Sequence, residues 1–430
     1  MTAETTTAVG GQRLVPEPDT IARDYLVLAL RLDQHSPGLV DGYFGPADIK
    51  AQVDTEQLRP PGALAADAVR LQERIDSDVP EPDRRSWLAG QVTALRTLAE
   101  VLAGNDLPYV DLATRCFSWT PVRRDAGVFE RAAAEIDRLL PGSEPLADRL
   151  ARFNDRFVVP VDRLTDVVDW LVGLLRERAA STFGLPDREA IRIKLVRNQP
   201  WTGYNWYEGS RRSRFDLSTD LPIRAGELIR VVAHEAYPGH HLEHAWREAD
   251  VVDVWRRLEA SILLINTPEC LVSEGLADLG RRFVAPEADE ADMLVELYNR
   301  AGLAIAADPA GARDAAERTV ALAPHLRRLS ETRVNAALMR HADGASHETV
   351  LAWLQQVGRF APATAAKRLE FIEHPLWRTY VFVYHEGEAL LGRWLDAVPD
   401  TERAARFGRL FHEQLAPAAI AAEVGAGESS

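Results

Sequence analysis

The chain has only two cysteines, Cys116 and Cys270, in 430 residues. Thiols that far apart form no disulfide framework and offer no spacing for a cysteine-rich zinc site. Positive charge is scarce as well: 50 Lys and Arg stand against 65 Asp and Glu, a net charge of −15. Such a balance favours solubility and lacks the basic footprint that phosphate backbones require, which argues against a nucleic-acid partner. Long apolar runs are missing too. The longest, Val167 to Leu175 with Asp169 inside it, is about half of what a membrane span needs. Met1 to Gly11 has neither a basic start nor an apolar stretch, so no secretory signal is read there. From these absences we expect a cytoplasmic protein with no membrane partner. No internal repeat, low-complexity tract or linker-like composition marks the chain.

What is present is an ordinary globular composition, 46 % hydrophobic and 27 % charged. Helical periodicity dominates. Ile21, Tyr25, Leu28 and Leu32 recur at i, i+4, i+7 and i+11, and Leu64, Ala68, Leu71 and Ile75 repeat that spacing. Trp87, Leu88, Val92, Leu95 and Leu102 mark a third stripe, and Leu164, Val168, Leu171 and Leu175 another. Ser36-Pro37, Arg59-Pro60-Pro61, Pro80 to Pro82 and Pro141-Gly142 punctuate them. One region alternates instead. Ile191, Ile193 and Leu195 have the period of a strand, and Asn205 to Tyr207 and Arg214 to Ser218 are two further extended segments joined through Glu208-Gly209-Ser210. These patterns predict a mainly α fold with a small sheet just ahead of a helix beginning at Ala225. The expected organisation is a loose tail over 1–18, a helical lobe over 19–185, a second lobe over 186–417 forming one compact unit with the first, and a loose tail over 418–430.

That helix leads into the most informative segment. His234-Glu235-Ala236-Tyr237-Pro238-Gly239-His240-His241-Leu242-Glu243-His244 gathers four of the chain's 11 histidines. Histidine is the commonest neutral nitrogen ligand for zinc, and an adjacent Glu is the usual base toward water at such a metal. On an ideal helix His234 and His240 would be rotated by about 240° from one another. They can share a metal only if Pro238-Gly239 distorts the helix, for instance by bulging residues out of it. A rival pattern lies in the same residues: His240, Glu243 and His244 fit His-x-x-Glu-His, the inverted motif, with Glu243 as base. A histidine-rich helix without metal is the third reading. Catalytic zinc takes three protein ligands, and Glu274, in Ser273-Glu274-Gly275-Leu276-Ala277, is the candidate for the third, with Asp278 one turn later placed to orient a ligand histidine.

His-Glu-Ala-Tyr-Pro-Gly-His-His-Leu (234–242) followed by Ser-Glu-Gly-Leu-Ala (273–277) resembles the DUF885 family of bacterial proteins. Ser36-Pro37-Gly38-Leu39-Val40-Asp41-Gly42-Tyr43-Phe44-Gly45-Pro46 resembles a shorter branch of it. That family is similar to gluzincin-type zinc metallopeptidases with a mostly helical fold. The resemblance implies one zinc ion per chain held by His234, His240 and Glu274, with Glu235 as base, and it speaks against the inverted motif. Two departures bear on the substrate pocket. Position 337 is Ala where the family often has Asp, ahead of the histidine matched by His341. Glu386-Gly387-Glu388-Ala389-Leu390 stands where it commonly reads Pro-Gly-Gln-Ala-Leu.

The function expected from these residues is zinc-dependent hydrolysis of amide bonds in short peptides. Peptidases of this kind usually add a second donor to the developing oxyanion, and Tyr384 and His385 are candidates, although Tyr380 and Tyr384, four apart, could equally be a packed aromatic pair. The sheet ahead of the helix offers an edge for an extended peptide, and Arg211, Arg212 and Arg214 are candidates to hold a substrate carboxylate. Two other classes stay open: a metal-dependent enzyme acting on a small non-peptide amide or ester, and a non-catalytic helical binding protein.

Overall fold

In the computed structural model, which describes residues 19–199 and 201–427, the apolar stripes become the inner faces of helices. Helix α1 (Thr20–Asp33) is capped by Asp19, whose carboxylate accepts from the Ala22 amide at 3.0 Å. After strand β1 (Val40–Tyr43) and α2 (Ala47–Thr55), α3 (Pro61–Asp78) and α4 (Pro82–Leu102) each begin on a proline, which suits the first helical turn. The α1 and α3 stripes are buried throughout. On α4 only Leu102, in the last turn, is out in solvent at 40 % exposure.

Four further helices follow: α5 (Tyr109–Phe117), α6 (Ala126–Leu139), α7 (Leu146–Asp155) and α8 (Val161–Phe183). The predicted sheet is next, as β2 (Ala190–Val196), β3 (Gly203–Gly209) and β4 (Arg212–Ser218) in the order β2-β4-β3. β4 runs parallel to β2 and antiparallel to β3, so β3 is an outer strand. Then come α9 (Ala225–Glu235), α10 (His240–Trp246), a π-helical turn, β5 (Ile262–Leu264) and α11 (Pro268–Val284). The remainder is helical: α12 (Glu287–Arg300), α13 (Pro309–Ser330), α14 (Thr332–His341), α15 (His347–Gln356), α16 (Pro362–Glu373), α17 (Val383–Asp396), α18 (Asp400–His412) and α19 (Pro417–Gly427). The fold is mainly α, with small sheets of three and two strands.

Buried apolar side chains form two large clusters. One joins α1 to α4 with Ile262, Leu264 and Ile265 at β5; the other holds α5 onward. The division therefore falls between α4 and α5, not at residue 185, because α5 to α8 pack into the same core as α9 and α11. The segment after Pro417 is no loose end. Ile420 is fully buried, and Glu423 accepts from Trp394 Nε1 at 2.8 Å and pairs with Arg409, which docks α19 on α17 and α18. The expected tails over 1–18 and 428–430 lie outside the described residues. No helix among those described is long and apolar enough to cross a membrane.

Candidate metal centre

The histidine segment is not one distorted helix but two helices with a break between them. α9 ends at Glu235, Ala236 leaves helical geometry, Tyr237-Pro238 is cis, and α10 starts at His240. Gly239 is required at the break: a Cβ there would stand 1.8 Å from the His234 carbonyl oxygen. The reversal brings His234 and His240 edge to face, ring centres 4.8 Å apart.

Both rings converge on Glu274 of α11. His234 Nε2 lies 3.3 Å from Glu274 Oε2, and His240 Nε2 lies 3.5 Å from Oε1. On the far side of each ring a second acceptor fixes the tautomer. His234 Nδ1 meets Asp278 Oδ1 at 3.1 Å, and Asp278 in turn accepts from Arg327 at 2.7 Å. His240 Nδ1 faces Ser273 Oγ at 3.3 Å, whose own hydroxyl donates to Glu243 at 2.6 Å. With Nδ1–H donated outward, each ring in its neutral form turns its Nε2 lone pair inward, as a metal ligand needs. Although burial disfavours charge on His234, Asp278 and Glu274 raise its pKa to about 9. His240 is likewise raised by Glu243 and Glu274 against its burial.

This donor set suits a zinc ion. Two imidazole nitrogens and one carboxylate have ligand atoms within 4.8 Å of one another. Glu274 Oε2 is buried without a well-formed hydrogen bond, while its Oε1 accepts from the Tyr380 hydroxyl at 2.6 Å. Each ring has acceptors at both nitrogens, an arrangement that a neutral imidazole cannot satisfy alone but a cation between the rings and Glu274 can.

The inverted group His240, Glu243 and His244 also gathers within 4.8 Å. Its carboxylate is already engaged: Arg247 donates to Glu243 Oε1 at 2.8 Å and Ser273 to Oε2. Against the effect of burial, Arg247 and His240 hold Glu243 down at about 2, a poor proton acceptor at neutral pH. Burial pushes His244 down to about 3, with Arg247 adding to the fall. His241 is no ligand candidate, being fully buried between Ser213 Oγ and Glu189, each at 2.8 Å.

A cavity of about 530 Å³ opens over His234, His240 and Glu274. Glu235 lines it, and no described residue donates a hydrogen bond to its carboxylate. Burial raises its pKa, against the pull of His234 and His240. Tyr384 lines the same cavity, so the spacing of Tyr380 and Tyr384 serves the site as well as packing. His385 does not line it: its Nε2 turns away to Arg333 at 3.2 Å. The outer strand β3 forms one wall. Gly203 passes so close to α9 that a Cβ would meet Val231 at 2.7 Å, and Asn205 Nδ2 donates to the Glu235 carbonyl at 2.7 Å.

Some expected contributors lie elsewhere. None of Arg211, Arg212 and Arg214 lines the cavity; Arg211 pairs with Asp253, and Arg214 bonds Asp216 at 2.7 Å. The positions that depart from the family pattern are also set back. Ala337 is core, Glu386 pairs with Arg124 at 3.0 Å, and Glu388 pairs with Arg327 behind Asp278. Two residues carry no mark of their place in the sequence pattern: Tyr380 as a partner of Glu274 and Asp41 as a cavity residue. The only signal for Asp41 was its place in the Ser36 to Pro46 stretch.

No family model matches the sequence, and no curated protein does. Among solved structures the chain is similar to a protein from Shewanella oneidensis described as a lipoprotein of unknown function. The two share 11 % identity at a TM-score of 0.50, over 95 % of this chain and 84 % of that one. A protein from Colwellia psychrerythraea, also described as a lipoprotein, has 13 % identity and a TM-score of 0.49, over 85 % of this chain and 67 % of that one. At 11 % identity the Shewanella protein speaks for a shared fold and nothing further.

Proposed function

We propose that the protein is a zinc-dependent amide hydrolase acting on short peptides, with His234, His240 and Glu274 holding the metal. The observation that carries the reading is the convergence of both Nε2 atoms on Glu274 at 3.3 and 3.5 Å, beside the free carboxylate of Glu235. The resemblance to the DUF885 family points the same way. When bound, zinc supplies Lewis acidity, polarising a carbonyl and acidifying water at neutral pH.

The chain's own groups do the rest. Glu235, with its pKa raised by burial, accepts the proton of the attacking water and returns it to the departing amine nitrogen. The Tyr384 hydroxyl donates to the carbonyl oxygen as negative charge develops there. Its pKa is raised, first by burial and then by Glu274, so it keeps its proton at neutral pH. Asp278 and the Ser273–Glu243 pair hold the two imidazoles in orientation. The outer strand β3 presents backbone groups along which an extended peptide can lie.

Elemental analysis of purified protein tests the metal. We expect about one zinc per chain, the single-ion catalytic pattern, and loss of it in His234→Ala/His240→Ala. Glu235→Gln should retain zinc and lose turnover by about 10²–10⁴-fold. Wild-type protein that takes up no zinc when it is supplied, or a Glu235→Gln variant with full activity, would overturn the reading. A substrate panel of peptides and non-peptide amides and esters separates peptidase action from hydrolysis of a small metabolite.

A further inference from the structure

Most acids around the cavity have a cationic partner. Asp278 has His234 and Arg327, Glu243 and Glu269 share Arg247, and Glu274 faces two imidazoles. Glu235 is free, as a base must be. Asp41 is the remaining case. The Tyr204 hydroxyl donates to its carboxylate, and among the described residues it has no ion pair.

Asp41 is also aimed into the cavity by the backbone. In the β1–β5 ladder Val40 pairs with Leu264 and Gly42 with Leu263, so Asp41 is the extra residue of a β-bulge. Bulges beside sites redirect a side chain, and this one puts Asp41 among the lining residues. Beside the carboxylate, Trp201, Tyr204 and Trp206 form an aromatic row, with successive ring centres 5.3 and 4.5 Å apart. From this row the Tyr204 hydroxyl reaches the carboxylate, and a carboxylate with aromatic rings nearby is a favourable place for an ammonium group. Burial, reinforced by Glu274 and Glu235 and opposed by His240, pushes the Asp41 carboxyl up to about 7.

We infer that Asp41 anchors a free amino group of the substrate, so that the cavity selects short peptides or amino amides with an unblocked ammonium over their N-acylated forms. The inference rests on the hydrolase reading for the meaning of "substrate", but the anchoring itself is read by binding alone. The probes are dipeptide amides of varied side chain, each with a free and with an acetylated amino terminus, titrated calorimetrically into the Glu235→Gln protein. The free-amine form should bind at least about tenfold more tightly, the 1.4 kcal/mol expected of a modest charge-assisted contact. Adding Asp41→Asn, which keeps an acceptor for Tyr204, should remove that preference and leave the affinity of the acetylated form in place. Thermal melting of the variant checks that it folds. Equal binding of the two forms by the Asp41 protein, no binding of either, or a preference that survives Asp41→Asn overturns the assignment. Amine-selective binding, together with a wild-type protein that takes up no zinc and turns over no substrate, would instead sink the hydrolase reading and leave the anchor standing.

Discussion

Two glutamates in one cavity are driven in opposite directions, one by its partners and the other by its burial. Burial disfavours charge on both, but the two imidazoles facing Glu274 override it and hold that carboxyl far below its usual range. Glu235, with no hydrogen-bond donor, stays raised. Titratable neighbours pushed apart in this way divide the work of a site between ligand and base. The two tyrosines divide similarly. Tyr380→Phe removes the donor to Glu274, and we expect zinc to bind about 10–100-fold more weakly, as competition with a chromogenic chelator will measure. Tyr384→Phe should leave zinc in place and lower kcat by about 10²–10³-fold with little change in KM, a split that steady-state kinetics resolves. A third prediction concerns Glu189, which accepts from Arg176, His241 and Tyr237. Against the effect of burial, these donors keep its carboxyl below the usual value. A carboxylate depressed by folding stabilises above its unfolded pKa, about 4.3, and that contribution is lost as pH falls through the folded pKa. Glu189→Gln should therefore lower urea stability at pH 7 by about 3 kcal/mol, and the gap from wild type should narrow as the pH is taken below 4.

At the scale of elements, the decisive contact is the crossing of α11 with α17. A Cβ on Gly275 would stand 2.6 Å from the Gly387 carbonyl carbon, and one on Gly387 would stand 2.2 Å from the Leu271 carbonyl oxygen. The two backbones touch because neither residue has a side chain, and this closeness lets Tyr380 reach Glu274. Either Gly275→Ala or Gly387→Ala should destabilise the protein by about 1–3 kcal/mol. Calorimetric melting would show that loss, and the zinc affinity of the folded fraction should fall with it. The same crossing explains what the sequence could reveal. α1, α3 and α8 were legible because their burial repeats with the helical period, and β2 and β3 because theirs alternates. β1 and β5 were not: they have four and three residues and gain their order only from each other, across the whole first core. Residue type brought His234, His240 and Glu274 forward as candidates, and the family resemblance singled them out from the inverted motif. The way they meet could not be read there, since a break between two helices rather than a bulge in one turns His240 back. Asp41 and Tyr380 reach the cavity through tertiary contacts that leave no local pattern.

Over the whole molecule, the two apolar cores are tied together at the site. The β1–β5 ladder brings Asp41 from the first core, Glu274 comes from α11 in the second, and Tyr380 packs against both. A cavity assembled from both should be lost with either, so hydrogen exchange in rising urea should show α3, α4 and α11 losing protection together. Deprotection of α3 and α4 well before α11 would instead mean that the first core opens independently. The aromatic row at the cavity has a use for the experimenter. Trp201, Trp206 and Trp377 line the cavity, with Trp206 37 % exposed, whereas Trp87 and Trp394 are buried in the two cores. Occupancy of the cavity should shift only the emission of the first three. The intrinsic fluorescence of the unlabelled protein is then an optical gauge of ligand binding, read against a constant background from tryptophans that no ligand reaches.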